Sequence, residues 1–252
     1  MVEKTDILSS ITSPTGVTES DYRLAESKLD VVDAFARIAN QGVFVADLCQ
    51  RHFMYVSDSP LVLFGHTAEE VKEGGYGFLM QQAVLDDRPL MAELVEAVGN
   101  SHRWPLDERN FIYAISCNFH FYVNGQAVLL NHRVTPIGRT ARGEVWLVLC
   151  LVSPSVHSDM GHIEATVSSP SGFSIYEFEG HRWAKKGHRL ELTEGERTML
   201  HLSAQGYTMS QIGEKMFRSV DTVKMYRKSV FNKLGVSNIS EAIAYAFNYK
   251  LL

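Results

Sequence analysis

The sequence predicts an α+β protein of two domains, in which an antiparallel sheet with helices precedes a smaller all-helical domain. The 252 residues are enough for two hydrophobic cores. Apolar residues alternate with period two along much of residues 110–152, as in strands, and recur at helical spacing from Leu192 onwards. Residues 182–252 carry a net charge of +6, whereas residues 1–181 carry −11. A small basic domain beside a larger acidic one suits binding of a polyanion at one end of the chain.

Four helices are predicted in the C-terminal domain, residues 192–252. Thr193–Glu196 has the form of a capping box and begins the first helix. Thr208–Gln211 repeats this form at the start of a short second helix, and residues 217–219 make the turn into a third. The fourth helix begins near Asn238.

The third helix has two chemically different sides. Ser219 is predicted to be the N-cap, and Gly235 stands where a left-handed residue ends a helix. On a helical wheel the apolar side consists of Val223, Tyr226, Val230 and Leu234. The opposite side carries Asp221, Lys224, Met225, Lys228 and Asn232. These residue types can meet phosphates and base edges in a DNA groove, so we interpret this segment as a recognition helix.

The spacing of the C-terminal residues resembles the LuxR/NarL-type (GerE-type) helix-turn-helix of bacterial transcription regulators. The resemblance rests on Leu192-Thr193, Glu196, Leu200, Gly206, Ile212, Thr222-Val223-Lys224, Val230, Lys233-Leu234-Gly235-Val236 and Glu241-Ala242. It implies double-stranded DNA as a partner. A four-helix unit with a merely solvated basic face is the competing interpretation, and the number of fixed spacings disfavours it.

The resemblance also implies roles for individual residues. The positions that reach base edges correspond to Lys224, Met225 and Lys228, which agrees with the helical wheel. The positions that contact phosphates correspond to Thr208, Thr222 and Lys233. The fourth helix commonly makes a dimer contact, which here points to Ala242, Ile243, Tyr245, Ala246 and Tyr249.

The chain departs from the family pattern at three positions. It has Gly195 where the family usually has Arg, Tyr226 where it usually has His, and Ile239 near a usual Arg. The first two changes are expected to alter packing or a phosphate contact, so neither position is assigned a role in DNA binding.

An N-terminal arm, residues 1–31, precedes the predicted sheet domain, residues 32–153. A helical pattern runs from Asp21 to Asn40, and this helix could cap its own domain or pack on a partner. Strands are predicted at residues 42–47, 52–56, 110–123, 127–137 and 144–152, with short helices and one longer helix between the second and third strands.

This order of elements resembles a PAS domain. The local marks are Gly-Val-Phe-Val-Ala-Asp at residues 42–47, the run Ser-Pro-Leu-Val-Leu-Phe-Gly-His-Thr-Ala-Glu-Glu-Val at residues 59–71, and Asp-Asp-Arg-Pro at residues 86–89. The resemblance implies a PAS-like antiparallel sheet of five strands, whose helical side encloses a small molecule or pairs with a second PAS domain.

The connector, residues 154–191, contains two further apolar runs, at residues 163–167 and 173–178. They predict a hairpin that docks on one of the two domains, and the sequence does not decide which. Trp183 and a basic run of Lys185, Lys186, His188 and Arg189 follow. The run could add phosphate contacts or form a solvated linker.

Cofactor and catalytic signals in the N-terminal domain are weak. The long predicted helix has no His for haem, since His102 lies beyond its end, and residues 75–82 lack the Cys of a cysteinyl-flavin photosensor. Asp86 and Asp87 are expected to cap the helix, and His120 and His132 to face each other across neighbouring strands. The three widely spaced cysteines suggest reduced thiols. We therefore expect no metal site, no resident cofactor and no enzymatic activity.

These features predict a cytoplasmic transcription regulator that forms a homodimer. It has no predicted membrane segment, because no run of about 18 apolar residues occurs. In one hypothesis the PAS-like domain senses a small molecule and controls DNA binding. In the alternative it is a ligand-free dimerisation module, and RNA polymerase stays open as a further partner. The alternative predicts a core filled by aromatic residues, namely Phe44, Phe53, Tyr55, Phe64, Phe78, Phe111, Phe119, Phe121 and Trp146.

Overall fold

The structure is a computed structural model, which describes residues 13–99, 111–169, 172–180, 182–188, 192–248 and 251–252. The chain divides into two compact units. The N-terminal unit is Met1–Gly187, and the C-terminal unit is His188–Leu252. The α+β class predicted from the sequence is confirmed, because the first unit is built on a sheet and the second consists of helices.

One sheet of eight strands forms the N-terminal unit. Its strands are β1 (Gly42–Asp47), β2 (Phe53–Val56), β3 (Phe111–Val123), β4 (Gln126–Arg139), β5 (Val145–Pro154), β6 (Gly161–Ser169), β7 (Gly172–Glu179) and β8 (Arg182–His188). Their order in the sheet is β2-β1-β5-β4-β3-β6-β7-β8. The first five strands form the antiparallel five-stranded sheet that the sequence predicted.

The sheet has three strands more than predicted because the connector joins it. Strand β6 pairs antiparallel with β3, with Ile115 opposite Ala165, and β7 pairs with β6. An unpaired edge of β3 would expose a row of backbone donors and acceptors, which β6 satisfies. The predicted hairpin therefore docks on the N-terminal unit, and the basic run that was left between two interpretations forms β8 up to His188.

The helices of this unit are α1 (Glu19–Glu26), α2 (Leu29–Ile38), α3 (Pro60–Leu63), α4 (Ala68–Gln82) and α5 (Arg88–Gly99). The single N-terminal helix predicted from Asp21 to Asn40 is thus two helices. Helix α4 is broken at Gly75, where φ is 51°, and resumes after it. A Cβ there would lie 2.4 Å from the carbonyl oxygen of Arg51, so only glycine fits this crossing.

Two hydrophobic layers lie on opposite faces of the sheet, as the period of two requires. Phe44 and Ala46 of β1 point into the main core, which α3, α4 and α5 cover. Val45 points the other way, where it packs with Trp146 under α1 and α2. The N-terminal helices therefore cap the sheet of their own unit.

The C-terminal unit consists of α6 (Glu194–Ala204), α7 (Met209–Met216), α8 (Val220–Leu234) and α9 (Ile239–Asn248). The four predicted helices are confirmed, as are the capping boxes at Thr193 and Thr208. Their core is formed by Leu192, Met199, Leu200, Ile212, Val223, Val230, Leu234, Ala242, Tyr245, Ala246 and Leu251.

Candidate nucleic-acid interface and sensory interior

Helix α8, the predicted recognition helix, is fixed at both ends. The hydroxyl of Ser219 accepts a hydrogen bond from the backbone N–H of Thr222 at 3.2 Å. Gly235 ends the helix in the left-handed conformation with φ of 66°. Both termini agree with the prediction, and they set the length of the surface that α8 can present.

The two sides of α8 differ as the helical wheel predicted. Val223, Val230 and Leu234 are buried in the core, and Tyr226 is half-buried. Lys224, Met225 and Lys228 are exposed. The Lys224 ammonium lies 3.1 Å from a carboxylate oxygen of Asp221, one turn away on the same surface. An exposed pair of this kind contributes little to stability, so Lys224 can leave Asp221 for another acceptor at small cost.

The predicted phosphate contacts Thr208 and Thr222 lie at helix N-termini. Thr208 is the exposed N-cap of α7, and its hydroxyl donates to Gln211 Oε1 at 3.0 Å. The half-buried Thr222 stands in the first turn of α8, with its hydroxyl 2.9 Å from that of Ser219. The free N–H groups and the dipole at a helix N-terminus attract anions, which makes these positions suitable for phosphate.

Lys233, the third predicted phosphate contact, binds a buried carboxylate. Its ammonium lies 2.7 Å from Glu196 Oε2, and Ser229 donates to Glu196 Oε1 at 2.6 Å. The same carboxylate accepts the backbone N–H of Thr193 at 2.7 Å and so completes the cap of α6. Burial alone would raise the pKa of Glu196, but these hydrogen bonds outweigh it and lower the pKa to about 2. Lys233 therefore ties α8 to α6, a role that the sequence did not reveal.

The residues proposed for dimerisation lie mostly inside the C-terminal unit. Ala242, Tyr245 and Ala246 are buried in its core, where α9 packs against α6 and α8. Ile243 is half-buried, and Tyr249 lies outside the described residues. The exposed apolar residue of α9 is Phe247, which is 64% exposed. A dimer contact through α9 would therefore have to use a different side of the helix from the one that the buried residues occupy.

The interior of the N-terminal unit contains a histidine without a complete set of hydrogen bonds. The His132 ring stacks on Phe121, with centroids 4.9 Å apart, and meets Phe44 edge-on. Its Nδ1 lies 3.8 Å from Cys150 Sγ, whereas its buried Nε2 has no partner among the described residues. Burial lowers the pKa of His132 to about 4, so the ring is neutral near pH 7.

The prediction that His120 and His132 face each other is wrong. In the register of β3 and β4, His120 stands opposite Leu129, and His132 stands opposite Cys117. The backbone N–H of His120 instead donates a hydrogen bond to the carboxylate of Asp87 at 2.5 Å. The Nδ1 atom of the His120 ring lies 3.0 Å from the same carboxylate. These bonds attach the turn before α5 to β3, which is a different structural role from the helix cap that was expected for Asp87.

Charged groups on the added strands also pair with one another. Lys186 of β8 contacts Glu177 and lies 3.5 Å from the buried Glu164. All three cysteines are free thiols. Across the described residues, no three His, Cys, Asp or Glu side chains converge to hold a metal ion. Nor does any helix in the described ranges have the length and apolar content to cross a membrane.

Several solved structures are similar to the chain over most of its length. One is a Vibrio cholerae VqmA dimer without its target DNA, at 16% identity and a TM-score of 0.35, covering 88% of each chain. Another is a VqmA–ligand–DNA complex at 16% identity and a TM-score of 0.34, covering 93% of this chain and 90% of the other. The PAS domain of Bordetella pertussis BvgS is similar to 52% of this chain at 13% identity, with a TM-score of 0.33.

Sequence comparison is more specific for the C-terminal unit. The oxygen regulatory protein NreC of Staphylococcus aureus is 39% identical over 61 residues, which make up 24% of this chain and 28% of NreC. The matched segment thus spans little more than a quarter of that relative. Residues 190–246 match the family model of bacterial regulatory proteins of the luxR family. These residues, which include the capped α8 and its supporting helices, therefore form a helix-turn-helix domain of the luxR family.

Proposed function

We propose that this chain is a transcription regulator that binds double-stranded DNA as a homodimer and responds to a small uncharged molecule in its N-terminal unit. The observation that carries the DNA-binding part is the exposed side of α8. It presents Lys224, Met225 and Lys228 on a helix that is capped at both ends and packed on its opposite side. A rigid helix with exposed cations and a flexible thioether can enter a major groove.

The opposite net charges of the C-terminal region and of the rest of the chain support the same assignment. The C-terminal residues 182–252 carry +6 and the rest of the chain carries −11. A polyanion is attracted to the first region and repelled by the second, which orients the protein on DNA. In the proposed mechanism, occupation of the N-terminal unit changes the spacing of two α8 helices relative to two half-sites.

DNA binding is tested by selecting sequences from a randomised duplex library with the full chain. Selected duplexes should contain two related half-sites about one helical turn apart, and fluorescence anisotropy should show them bound at least about 10³-fold more tightly than random DNA. Equal affinity for selected and random duplexes would refute sequence-specific regulation.

The sensory part is supported by His132. Leaving a buried ring nitrogen without a hydrogen bond costs about 1–3 kcal/mol, which a bound molecule with a suitable group would recover. The neighbouring groups are neutral near pH 7, because burial also raises the pKa of Cys117 to about 12 and that of Cys150 well above its ordinary value. The aromatic rings and neutral thiols around His132 favour an uncharged ligand. Similar structures include VqmA bound to DPO.

The ligand-free alternative has its own supporting observation. Phe44, Phe53, Phe64, Phe78, Phe119 and Phe121 all lie in the main core. Trp146 and the half-buried Tyr55 lie on the other face of the sheet, and the side chain of Phe111 lies outside the described residues. A core filled in this way can be stable without a ligand and could serve dimerisation alone.

Native mass spectrometry of the full chain separates these two functions. A ligand would appear as added mass that is lost on denaturation and is reduced in His132→Leu, while the control His66→Leu, which changes an exposed histidine of the same unit, retains it. If the protein carries no added mass, even after incubation with an extract of small molecules, the result would favour the ligand-free dimerisation module.

A further inference from the structure

The two N-terminal helices present an apolar surface to solvent. Four large side chains lie on it, namely Leu24 (57% exposed), Val31 (71%), Phe35 (42%) and Ile38 (81%). The opposite side of the same helices packs on the sheet through Ala25, Leu29 and Val32. We call the exposed side of α2, formed by Val31, Ala34, Phe35 and Ile38, the outer face. An apolar cluster of this kind on one helix marks an interaction surface.

The outer face is held in place by hydrogen bonds to the sheet. The Tyr22 hydroxyl donates to the buried carboxylate of Asp47 at 2.9 Å, and the Tyr55 hydroxyl donates to Asp33 at 3.0 Å. Tyr22 also packs edge-on against Trp146 at 5.1 Å. Because the inner side is anchored, α2 cannot rotate to bury its exposed residues without breaking these contacts.

We propose that the outer face packs against the outer face of a second copy of this chain, with the two α2 helices antiparallel. The twofold axis passes between Ala34 and Phe35. Val31 of each copy then meets Ile38 of the other, and Phe35 packs over the small Ala34. Equal patches that contact each other in this way form the self-complementary interface of a twofold dimer.

The charges beside the outer face select the antiparallel direction. Asp30 and Arg37 are both exposed and lie seven residues apart, on the same flank of α2. Antiparallel packing brings Asp30 of each copy close to Arg37 of the other, whereas parallel packing about a twofold axis turns this flank towards the opposite flank of the partner helix and forms no such pair. Arg37 is paired with Asp33 within the helix, but the guanidinium of Arg37 is exposed, so sharing it with a second carboxylate costs little.

This inference rests on the homodimer of the proposed function and assigns the dimer contact to the N-terminal unit. It also agrees with the burial of Ala242, Tyr245 and Ala246 in the C-terminal core. Residues 1–12 of the chain or an unrelated protein are the competing occupants of the outer face.

Single cysteines on the outer face test the direction of packing. In a Cys49→Ser background, Ala34→Cys should form a disulfide-linked dimer under mild oxidation, because the two positions meet near the axis. Val31→Cys or Ile38→Cys alone should not, since their positions lie about 10 Å apart along the helix axis. A mixture of the Val31→Cys and Ile38→Cys proteins should crosslink. Equal crosslinking of all three single variants would indicate parallel helices and overturn the proposal.

Sedimentation equilibrium of the full chain tests whether this surface forms the dimer. The parent protein should be a dimer, and Val31→Glu combined with Ile38→Glu should raise the dissociation constant at least 100-fold. Leu85→Glu is the control, because Leu85 is equally exposed, at 67%, elsewhere in the same unit. Asp30→Arg should weaken the dimer, and adding Arg37→Asp should restore it.

Two outcomes would overturn this inference: a monomeric parent protein, or a dimer that the double glutamate variant leaves intact. Sequence-specific DNA binding of the parent protein is measured independently by anisotropy. Its absence would refute the proposed function, whereas a specific DNA-binding dimer insensitive to these substitutions would refute only the assignment of the outer face.

Discussion

Tyr226 occupies the space that a side chain at Gly195 would need. A Cβ on Gly195 would lie 2.7 Å from Cζ of Tyr226 and 2.9 Å from its hydroxyl oxygen. Gly195 is the second residue of α6, and Tyr226 is on the half-buried side of α8. The two departures from the family pattern are therefore one coupled feature of packing between these helices.

The coupling between these two positions can be measured with a double-mutant cycle. Glycine within a helix is destabilising by about 0.5–1 kcal/mol relative to alanine, so Gly195→Ala should stabilise α6 where there is room. Beside Tyr226 the methyl group must displace the phenol ring, which should cancel or reverse this gain. In the Tyr226→Ala background, Gly195→Ala should give the full gain in stability. Local stability is read from hydrogen exchange of the α6 and α8 amides by mass spectrometry.

The control for this cycle is Gly206→Ala, since Gly206 has open space around its Cβ position but a φ of 85°. That change should be destabilising whether or not Tyr226 is present, because its cost comes from the backbone. An effect of Gly195→Ala that is equally independent of residue 226 would contradict the packing relationship.

Acid should weaken the C-terminal unit through Glu196. Its pKa is about 2 in the folded protein and 4.5 ordinarily, because its hydrogen bonds to Lys233, Ser229 and Thr193 outweigh the effect of burial. A lowered pKa stabilises the fold above pH 4.5, and this contribution is lost as the pH falls from 4.5 towards 2. Hydrogen exchange in α6 and α8, corrected for intrinsic rates, should show this loss in the parent protein and a flatter profile in Glu196→Gln.

Glu194→Gln is a suitable comparison, because Glu194 is an exposed carboxylate in the same helical turn. Its profile between pH 4.5 and 2 should match that of the parent protein. If Glu194→Gln flattened the profile as much as Glu196→Gln, general charge effects rather than the buried carboxylate would explain the acid sensitivity.

Sequence patterns predicted the helices of the C-terminal unit because local signals and packing agree there. The capping residues Thr193, Thr208 and Ser219 all form the predicted hydrogen bonds. The partners of Lys233 were missed, because the 37-residue separation from Glu196 has no local signature. In the N-terminal unit, alternation identified the strands but not that β6 would pair with β3. Register also depends on the whole sheet, which is why His132 was placed opposite the wrong residue.

Substitutions at the predicted base contacts and at the predicted phosphate contacts should have different effects on DNA binding. Lys224→Ala and Lys228→Ala should each weaken binding to the selected site by about 1–3 kcal/mol and relax its sequence preference. Met225→Ala should weaken contact with an apolar base edge and leave the salt dependence unchanged. Fluorescence anisotropy on selected and random duplexes at several salt concentrations measures both effects.

Lys233 is the informative comparison for that experiment. If it binds a phosphate, Lys233→Gln should weaken binding to all duplexes and reduce the salt slope by about one unit. If its bond to Glu196 is its only role, the salt slope should be unchanged and the stability of α6 and α8 should fall. Unaltered binding in both Lys224→Ala and Lys228→Ala would show that the exposed side of α8 does not read bases.

The N-terminal unit should lose stability in a higher pH range than the C-terminal unit. Burial lowers the pKa of His132 from 6.5 to about 4, so the unfolded chain takes up a proton more readily than the folded one between these values. The stabilisation is complete above pH 6.5 and falls as the pH approaches 4, by a total of roughly 3 kcal/mol. Urea unfolding at pH 7.5 and 5, followed by tryptophan fluorescence, measures this change, because all three tryptophans precede residue 188.

His132→Leu should remove this pH dependence, because leucine fills the space among the aromatic rings and has no group that takes up a proton. The same substitution should also reduce any stabilisation by an added ligand, since Nε2 is the buried atom that lacks a partner in the described structure. His66→Leu changes an exposed histidine of the same unit and should preserve both properties. If His132→Leu retained the full loss of stability between pH 7.5 and 5, protonation of another group in the unit would be responsible. The pH dependence could then not be assigned to His132.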